Sequence, residues 1–360
     1  MNLKRDEAAV FRLRELYEGH GYVRFKMRKF EEYDLYVQNK SFLVSDHVIT
    51  FTDTNGSLMA LKPDVTLSIV KNCRVQPGCV EKVHYNENVY RVSSGTGSYK
   101  EILQSGLECM GEIDDYQLSE VLTLAVKSLE TVSDAYILEV SHLGILSRVL
   151  DEMGAAGSLR QELLLCVGEK NLHGIRSLCR QAGLEPAPLE TLMGLCGAPE
   201  TVLPRLMALP GCREDAGVLS RVLEAVPCEK VRLDFSLAGD LNYYNGVVFR
   251  GFVSGIPVSI LSGGQYDRLM KKMGKSCGAV GFAVYLDLLE ELPREQEKYD
   301  ADVLLLYGEG VSPAAVARQV ASLTGLGMRV TARKTLPEKL RCRQVLKMTE
   351  SGVELLENRA

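Results

Sequence analysis

Short stretches that alternate between apolar and polar residues recur along the chain and predict β-strands. The clearest pair runs from Val83 to Gly111, as two antiparallel strands joined by a loop rich in glycine and serine, Ser93 to Ser98. Along the returning strand, alternation places Gln104, Gly106 and Glu108 on one face and leucine and cysteine side chains on the other. Polar residues on one whole face are unusual for a buried strand, so this hairpin is the first candidate for a site.

Apolar residues spaced three and four positions apart predict helices between the strands. Runs of short strands with helices between them favour an α+β fold, in which an antiparallel sheet is flanked by helices. The pattern predicts helices over residues 8–20, 30–36, 67–73 and 117–131, and strands over residues 82–92, 135–140, 231–237, 247–253 and 257–261.

The character of the sequence changes twice along the chain. Residues 143–227 are rich in Leu, Ala and Gly and lack strand alternation, which predicts a helical insertion between two parts of a sheet domain, residues 1–142 and 228–292. Residues 300–360 begin with a β-α-β pattern typical of parallel strands and predict a small α/β unit. Its basic stretch, Arg329 to Lys347, is either a solvated face or a contact for RNA.

Composition describes an ordinary globular protein. The 360 residues are 46% hydrophobic and carry a net charge of −5, which argues against broad, nonspecific binding of nucleic acid. We expect a cytoplasmic protein with no membrane contact, because no apolar run has the length of a membrane span. The ten cysteines form no C-x-x-C motif and the five histidines stand alone, so we expect no metal site; no phosphate-binding glycine loop is present, and we expect no cofactor.

The polar hairpin face suggests recognition of a zwitterion such as an amino acid. Gly106 would leave room for a small molecule, Glu108 would accept an ammonium group, and Arg91 on the outgoing strand would bind a carboxylate or phosphate. The alternative is a partly solvated strand with an ordinary cross-strand ion pair. Asp64 and Thr66 stand at a helix start beside a proline, where capping alone would also explain them.

Five short stretches, taken in order, resemble the catalytic core of histidyl-tRNA synthetase, which has a class II aminoacyl-tRNA synthetase fold, across residues 1 to about 292. They are Leu61–Thr66, Val89–Arg91 with Gln104–Glu108, Leu241–Gly246, Gly263–Asp267 and Ala279–Ala283. The resemblance implies that carboxylates hold the α-ammonium group of histidine, that tyrosines contact its imidazole, and that an arginine grips its carboxylate. The implied histidine-binding residues are Asp64, Thr66, Arg91, Gln104, Glu108, Tyr244 and Tyr266.

Three positions depart from the synthetase pattern. Gly239 and Leu288 stand where the family has arginines, and Ser93 stands where it has a glutamate that recognises adenine. Activation of an amino acid is an attack on the α-phosphate of ATP and needs cations to stabilise the developing charge. The resemblance therefore implies a pocket that binds an amino acid and lacks the groups that handle ATP.

Such a pattern resembles the regulatory subunits of ATP phosphoribosyltransferase, a noncatalytic branch of the same family. This resemblance implies no catalytic residues, a short-form ATP phosphoribosyltransferase catalytic subunit as partner, a dimer within a hetero-oligomer, and feedback by histidine as ligand in histidine biosynthesis. Residues 300–360 resemble only part of an anticodon-binding domain, which argues against a tRNA role. A divergent histidyl-tRNA synthetase and a pseudosynthetase with another partner are the remaining alternatives.

Overall fold

The computed structural model describes residues 4–43, 47–93, 96–227, 229–237, 243–292, 298–337 and 339–358, in two compact units, residues 1–292 and 293–360. The strands of the first unit are β1 (Val23–Arg24), β2 (Phe30–Glu32), β3 (Thr50–Thr52), β4 (Leu58–Leu61), β5 (Val80–Val92), β6 (Tyr99–Gly111), β7 (Tyr136–His142), β8 (Cys196–Gly197), β9 (Val231–Asp234), β10 (Val247–Val253), β11 (Leu261–Gln265) and β12 (Gly278–Tyr285).

The helices of the first unit are α1 (Arg5–Gly19), α2 (Tyr33–Gln38), α3 (Thr66–Asn72), α4 (Asp115–Val132), α5 (Leu143–Glu152), α6 (Gly157–Gly168), α7 (Leu172–Ala182), α8 (Ala187–Met193), α9 (Pro199–Met207), α10 (Arg213–Glu224) and α11 (Asp267–Lys272). Short 3₁₀ helices occupy Lys40–Phe42 and Leu286–Glu291. The second unit contains β13 (Ala301–Tyr307), α12 (Pro313–Gly325), β14 (Val330–Arg333), β15 (Cys342–Thr349) and β16 (Gly352–Asn358).

One large sheet organises the first unit. Its strand order in the described chain is β1-β5-β6-β12-β11-β10-β7-β9-β8. Strands β2, β4 and β3 form a separate, smaller sheet in that order. Most neighbours are antiparallel, but β1 pairs with β5 and β7 pairs with β9 in parallel. The predicted α+β architecture is confirmed. The sheet is mixed and not purely antiparallel, because β1 runs in the same direction as β5 and β7 in the same direction as β9.

Helices α1 and α4 cover one face of this sheet. Leu13 of α1 and Leu122 of α4 belong to the same buried cluster as Leu107 and Cys109 of β6. Helix α4 begins at a strong cap, since the Asp114 side chain accepts hydrogen bonds from two backbone amides of the first turn. Because side chains alternate along β6, the odd-numbered residues fill this core and the even-numbered ones face the opposite side.

The segment between β7 and β9 is mainly helical. Helices α5 to α10 bury leucine, isoleucine and valine side chains in the large core, among them Leu163 and Val167 of α6. One short strand interrupts them, and the sequence pattern did not predict it. This strand, β8, forms one edge of the large sheet and pairs with β9 through Cys196 and Asp234.

Two local predictions were wrong. Residues 30–36 are not one helix, because Phe30 pairs with Leu61 in the small sheet before α2 begins. The strand predicted at residues 257–261 begins only at Leu261; Pro257 has no amide hydrogen to donate to a sheet.

The second unit has the parallel strands that its sequence predicted. Strand β13 pairs in parallel with β14 and with β15, whereas β16 is antiparallel to β15. Strands β15 and β16 were not predicted from the sequence. Within the basic stretch, Arg329 and Arg341 form ion pairs with Asp302 and Asp300. In the described ranges of both units, no helix has the length and hydropathy to cross a membrane.

Candidate functional site

A cavity of about 930 Å³ lies on the face of the large sheet opposite α1 and α4. Its wall is built from β5, β6, β10, β11, β12, the start of α3 and helix α6. The structure brings all seven candidate residues to this cavity: Asp64, Thr66, Arg91, Gln104, Glu108, Tyr244 and Tyr266. Strand alternation on β6 explains part of this arrangement, because Gln104 and Glu108 share the face that the core does not use.

Glu108 lines the cavity and is almost completely buried. The Thr66 hydroxyl donates to Glu108 Oε1 at 2.7 Å, and the Tyr266 hydroxyl donates to Oε2 at 2.6 Å. Burial raises the pKa of Glu108 to about 8, although these two hydrogen bonds act in the opposite direction. Glu108 is therefore a group that gains from a cationic ligand, which would restore the ionised form.

Asp64 serves both of the roles that the sequence left open. Its Oδ1 accepts a hydrogen bond from the backbone amide of Leu67 at 2.8 Å, which caps the first turn of α3. The same side chain lines the cavity and is buried, and burial raises its pKa despite that hydrogen bond and the nearby charge of Arg91. The cavity thus contains two buried carboxyl groups.

Arg91 supplies a positive charge on the β5 side of the cavity. Its Nε donates to the carbonyl oxygen of Pro63 at 3.0 Å, which ties the side chain to the turn before α3. Gln104, buried on the adjacent strand, lines the same side. An anionic group and a cationic group of one small ligand can therefore be met by opposite charges within one cavity.

Aromatic side chains form another part of the wall. The rings of Tyr243 and Tyr244 lie 4.7 Å apart, and Tyr243 and Tyr266 lie 5.9 Å apart, centroid to centroid. Phe42 packs edge-on against Tyr243 at 6.1 Å. Such a group offers flat apolar surface and ring faces to an aromatic or cationic ligand.

The prediction that Gly106 leaves room for a small molecule is wrong. A Cβ at this position would lie 2.2 Å from the carbonyl oxygen of Phe282 and 2.5 Å from the hydroxyl of Tyr85. The space beside Gly106 is thus filled by a tyrosine and a neighbouring strand. Gly281 has the role of leaving room in the site, because a Cβ there would lie 1.8 Å from Glu108 Oε2.

Several cavity residues were not singled out by the sequence analysis. They are Tyr85, Gln161, Tyr243, Arg250, Ser259, Ser262 and Tyr285. Tyr243 lay within a quoted motif, so its position could have been found there. The others come together only through strand register and through helix α6, for which the sequence offered no motif.

Two of the three positions that depart from the synthetase pattern, Leu288 and Ser93, lie among the described residues. Leu288 lies in the 3₁₀ helix and packs against the large hydrophobic core. Ser93 follows the end of β5, and its amide bonds to Ser98 at the neck of the hairpin loop. Gly239 lies outside the described residues. Neither described position places a charged side chain in the cavity, and in the described ranges no three His, Cys, Asp or Glu side chains cluster as metal ligands would.

Comparison with known proteins agrees with the fold. The family model described as histidyl-tRNA synthetase matches residues 1–289, and the chain belongs to this family. An ATP phosphoribosyltransferase regulatory subunit from Alkaliphilus metalliredigens is 26% identical over 296 residues, 78% of this chain and 74% of the relative. One from Caldanaerobacter subterraneus is 28% identical over 322 residues, 85% of this chain and 80% of the relative.

A solved structure has the same architecture over almost the whole chain. It is the ATP phosphoribosyltransferase regulatory subunit/histidyl-tRNA synthetase from Bacillus halodurans, with a TM-score of 0.79 and 21% identity. The match covers 95% of this chain and 93% of that one. The class II synthetase fold expected from the sequence is thereby confirmed.

Proposed function

We propose that this chain is a noncatalytic regulatory subunit of ATP phosphoribosyltransferase, which activates a short-form catalytic subunit and makes it responsive to histidine. Both relatives described above are named ATP phosphoribosyltransferase regulatory subunit. The observation that carries the proposal is an asymmetry in the site. All seven residues proposed for histidine line one cavity, whereas Leu288 stands where the synthetase pattern has an arginine.

The amino-acid side fits histidine as a zwitterion. Asp64 and Glu108 would receive the α-ammonium group, and Arg91 would receive the carboxylate. Tyr244 and Tyr266 would lie against the imidazole ring. A cationic ligand group offsets the cost of two buried carboxylates, so the ligand itself would complete the charge balance of the site.

Gly239 and Leu288 replace two arginines that act on ATP in the synthetase pattern. Without them, the chain would not form the adenylate of its amino acid. A single electrostatic group that stabilises a transition state commonly contributes a factor of about 10² to 10³ in rate. A hydrophobic side chain at position 288 makes no such contribution. Binding without turnover is what a sensor of histidine requires.

Regulation would operate as a shift of population between two arrangements of the complex. Histidine would bias the catalytic subunit by binding one arrangement more tightly than the other, and a coupling of about 1 to 3 kcal/mol is typical of such effects. The chain would act as a dimer within the hetero-oligomer. The second unit, residues 293–360, has no assigned part in this mechanism.

The test is the rate of phosphoribosyl transfer by a short-form catalytic subunit, measured while this chain is titrated in. We expect the rate to rise and saturate at a fixed stoichiometry, and to fall again when histidine is added. The Glu108→Gln variant should shift that inhibition to higher histidine concentration. A rate that never responds to the chain, with no co-elution of the two proteins, would disprove the proposal.

A further inference from the structure

The cavity extends well beyond the seven residues of the proposed histidine pocket. Its volume of about 930 Å³ lies near the top of the range of about 300 to 1,000 Å³ that is typical of pockets for drug-sized ligands. A single amino acid therefore fills only part of it. Another part of the wall comes from α6, β10, β11 and the connection between these two strands, and carries the polar side chains of Gln161, Arg250, Ser259 and Ser262.

Strand register separates this region from the carboxyl groups. Arg250 pairs with Ser262, Ser262 with Ala283, and Ala283 with Gly106, so three strand spacings lie between β10 and β6. At about 4.8 Å per spacing, the Arg250 backbone is about 14 Å across the sheet from the strand that carries Glu108. One amino acid bound at Glu108 would leave the region around Arg250 open.

Among the described residues, no hydrogen bond or ion pair holds the guanidinium of Arg250. Its neighbour across the strands is Glu139 on β7, whose pKa is raised by burial and by Asp234 and lowered by the charges of Lys170 and Arg250. Lys170 bonds to Asp234 at 2.9 Å. A half-buried arginine on a cavity wall whose donors make no hydrogen bond to a described residue is a candidate for contact with a ligand.

The groups around Arg250 are mostly hydrogen-bond donors. The guanidinium presents a planar fork that matches the two oxygens of a carboxylate or phosphate. Ser262 lies opposite Arg250 on the paired strand β11, and Ser259 and Gln161 line the same cavity; all three side chains can donate further hydrogen bonds. This set of donors recognises an oxyanion.

Helix α6 contributes apolar side chains to the cavity wall. Leu164 and Leu165 line the cavity, and Leu165 is two-thirds exposed, which leaves its surface available to a ligand. Glu169 at the end of the helix also lines it and disfavours a polyanion. We propose that this region is a second subsite, for a small organic carboxylate or phosphate ester, with its oxyanion on Arg250 and its apolar body against α6. The subsite does not depend on the proposed regulatory function.

The test is calorimetric titration of the full chain with benzoate, phenyl phosphate and inorganic phosphate. We expect at least one of the two aromatic anions to bind, and to bind more tightly than inorganic phosphate, which has no apolar body. Preference between benzoate and phenyl phosphate distinguishes a carboxylate ligand from a phosphate ester. Binding of neither aromatic anion would overturn the subsite.

Two arginine variants provide the matched comparison. Arg250→Gln should weaken binding of the aromatic anion by about tenfold or more, the usual effect of losing a charge-assisted hydrogen bond. Arg232→Gln removes the same charge on β9, which β7 separates from β10. Arg232 donates to the carbonyls of Glu229 and Val231, and its replacement should change anion affinity less than twofold. Equal losses in the two variants would contradict a specific subsite. Ser262→Ala, a smaller change, should weaken binding in the same direction if Arg250→Gln does not fold.

The two sites can fail separately. Glu108→Gln should weaken histidine binding and leave aromatic-anion binding within about twofold, while Arg250→Gln should show the reverse pattern. If the unaltered chain binds histidine but no aromatic anion, the subsite is overturned and the histidine pocket stands. Absence of histidine binding to the unaltered chain overturns the proposed histidine pocket and leaves the subsite standing.

Discussion

Histidine binding should release a proton from Glu108 and become tighter as the pH rises. With a pKa of about 8, Glu108 is about nine-tenths protonated at pH 7, so ionising it there costs about 1.4 kcal/mol. An ammonium group bound beside it favours the ionised form and lowers its pKa, which links binding to proton release. Asp64, whose pKa burial also raises, acts in the same direction.

The size of the effect follows from this pKa. Between pH 7.0 and 8.0 the ionised fraction of Glu108 rises from about 0.1 to about 0.5, so histidine affinity should rise about fivefold. Calorimetry in two buffers of different ionisation enthalpy should give a release of about 0.9 proton at pH 7.0 and about 0.5 at pH 8.0 from this group. Glu108→Gln should lose most of that release and bind about 10- to 100-fold more weakly at pH 8.0. An affinity independent of pH, with no proton release, would refute the role given to Glu108.

Three further variants test the construction of the site. Tyr266→Phe removes a donor that lowers the pKa of Glu108, so histidine affinity at pH 7 should fall about three- to tenfold by calorimetry. Gly281→Ala puts a methyl group against the Glu108 carboxylate and should abolish measurable histidine binding, whereas Gly308→Ala, with nothing within 4 Å, should not. Leu107→Ala, in the core behind the site, should lower the unfolding free energy by about 2 to 5 kcal/mol in denaturant titrations; a loss below 0.5 kcal/mol would contradict the assigned face of β6.

Local pattern was sufficient to predict much of the fold and the candidate pocket. Alternation along β6 predicted which face Glu108 occupies, because one buried face fixes the direction of every second side chain. The helix-start signal at Asp64 predicted the cap that its carboxylate forms with Leu67. These inferences need only a few consecutive residues, so a single sequence contains them.

Features that depend on contacts between distant segments could not be predicted in this way. The space beside Gly106 is filled by Tyr85 on the paired strand, and only the register of β5 and β6 reveals it. Arg250 reaches the cavity because β10, β11 and β12 lie side by side, an order that the sequence does not state. Strand β15 was hidden by its exposed basic residues, Arg343 and Lys347, which make the segment resemble a charged surface run.

The central claim is that the site holds an amino acid but cannot activate it. Its most direct test is histidine-dependent exchange of labelled pyrophosphate into ATP, measured on the purified chain at a histidine concentration that calorimetry shows to be saturating. The account predicts no exchange above that of a sample without protein. Exchange that requires both histidine and ATP, and that Glu108→Gln abolishes, would contradict it and identify the chain as a working synthetase.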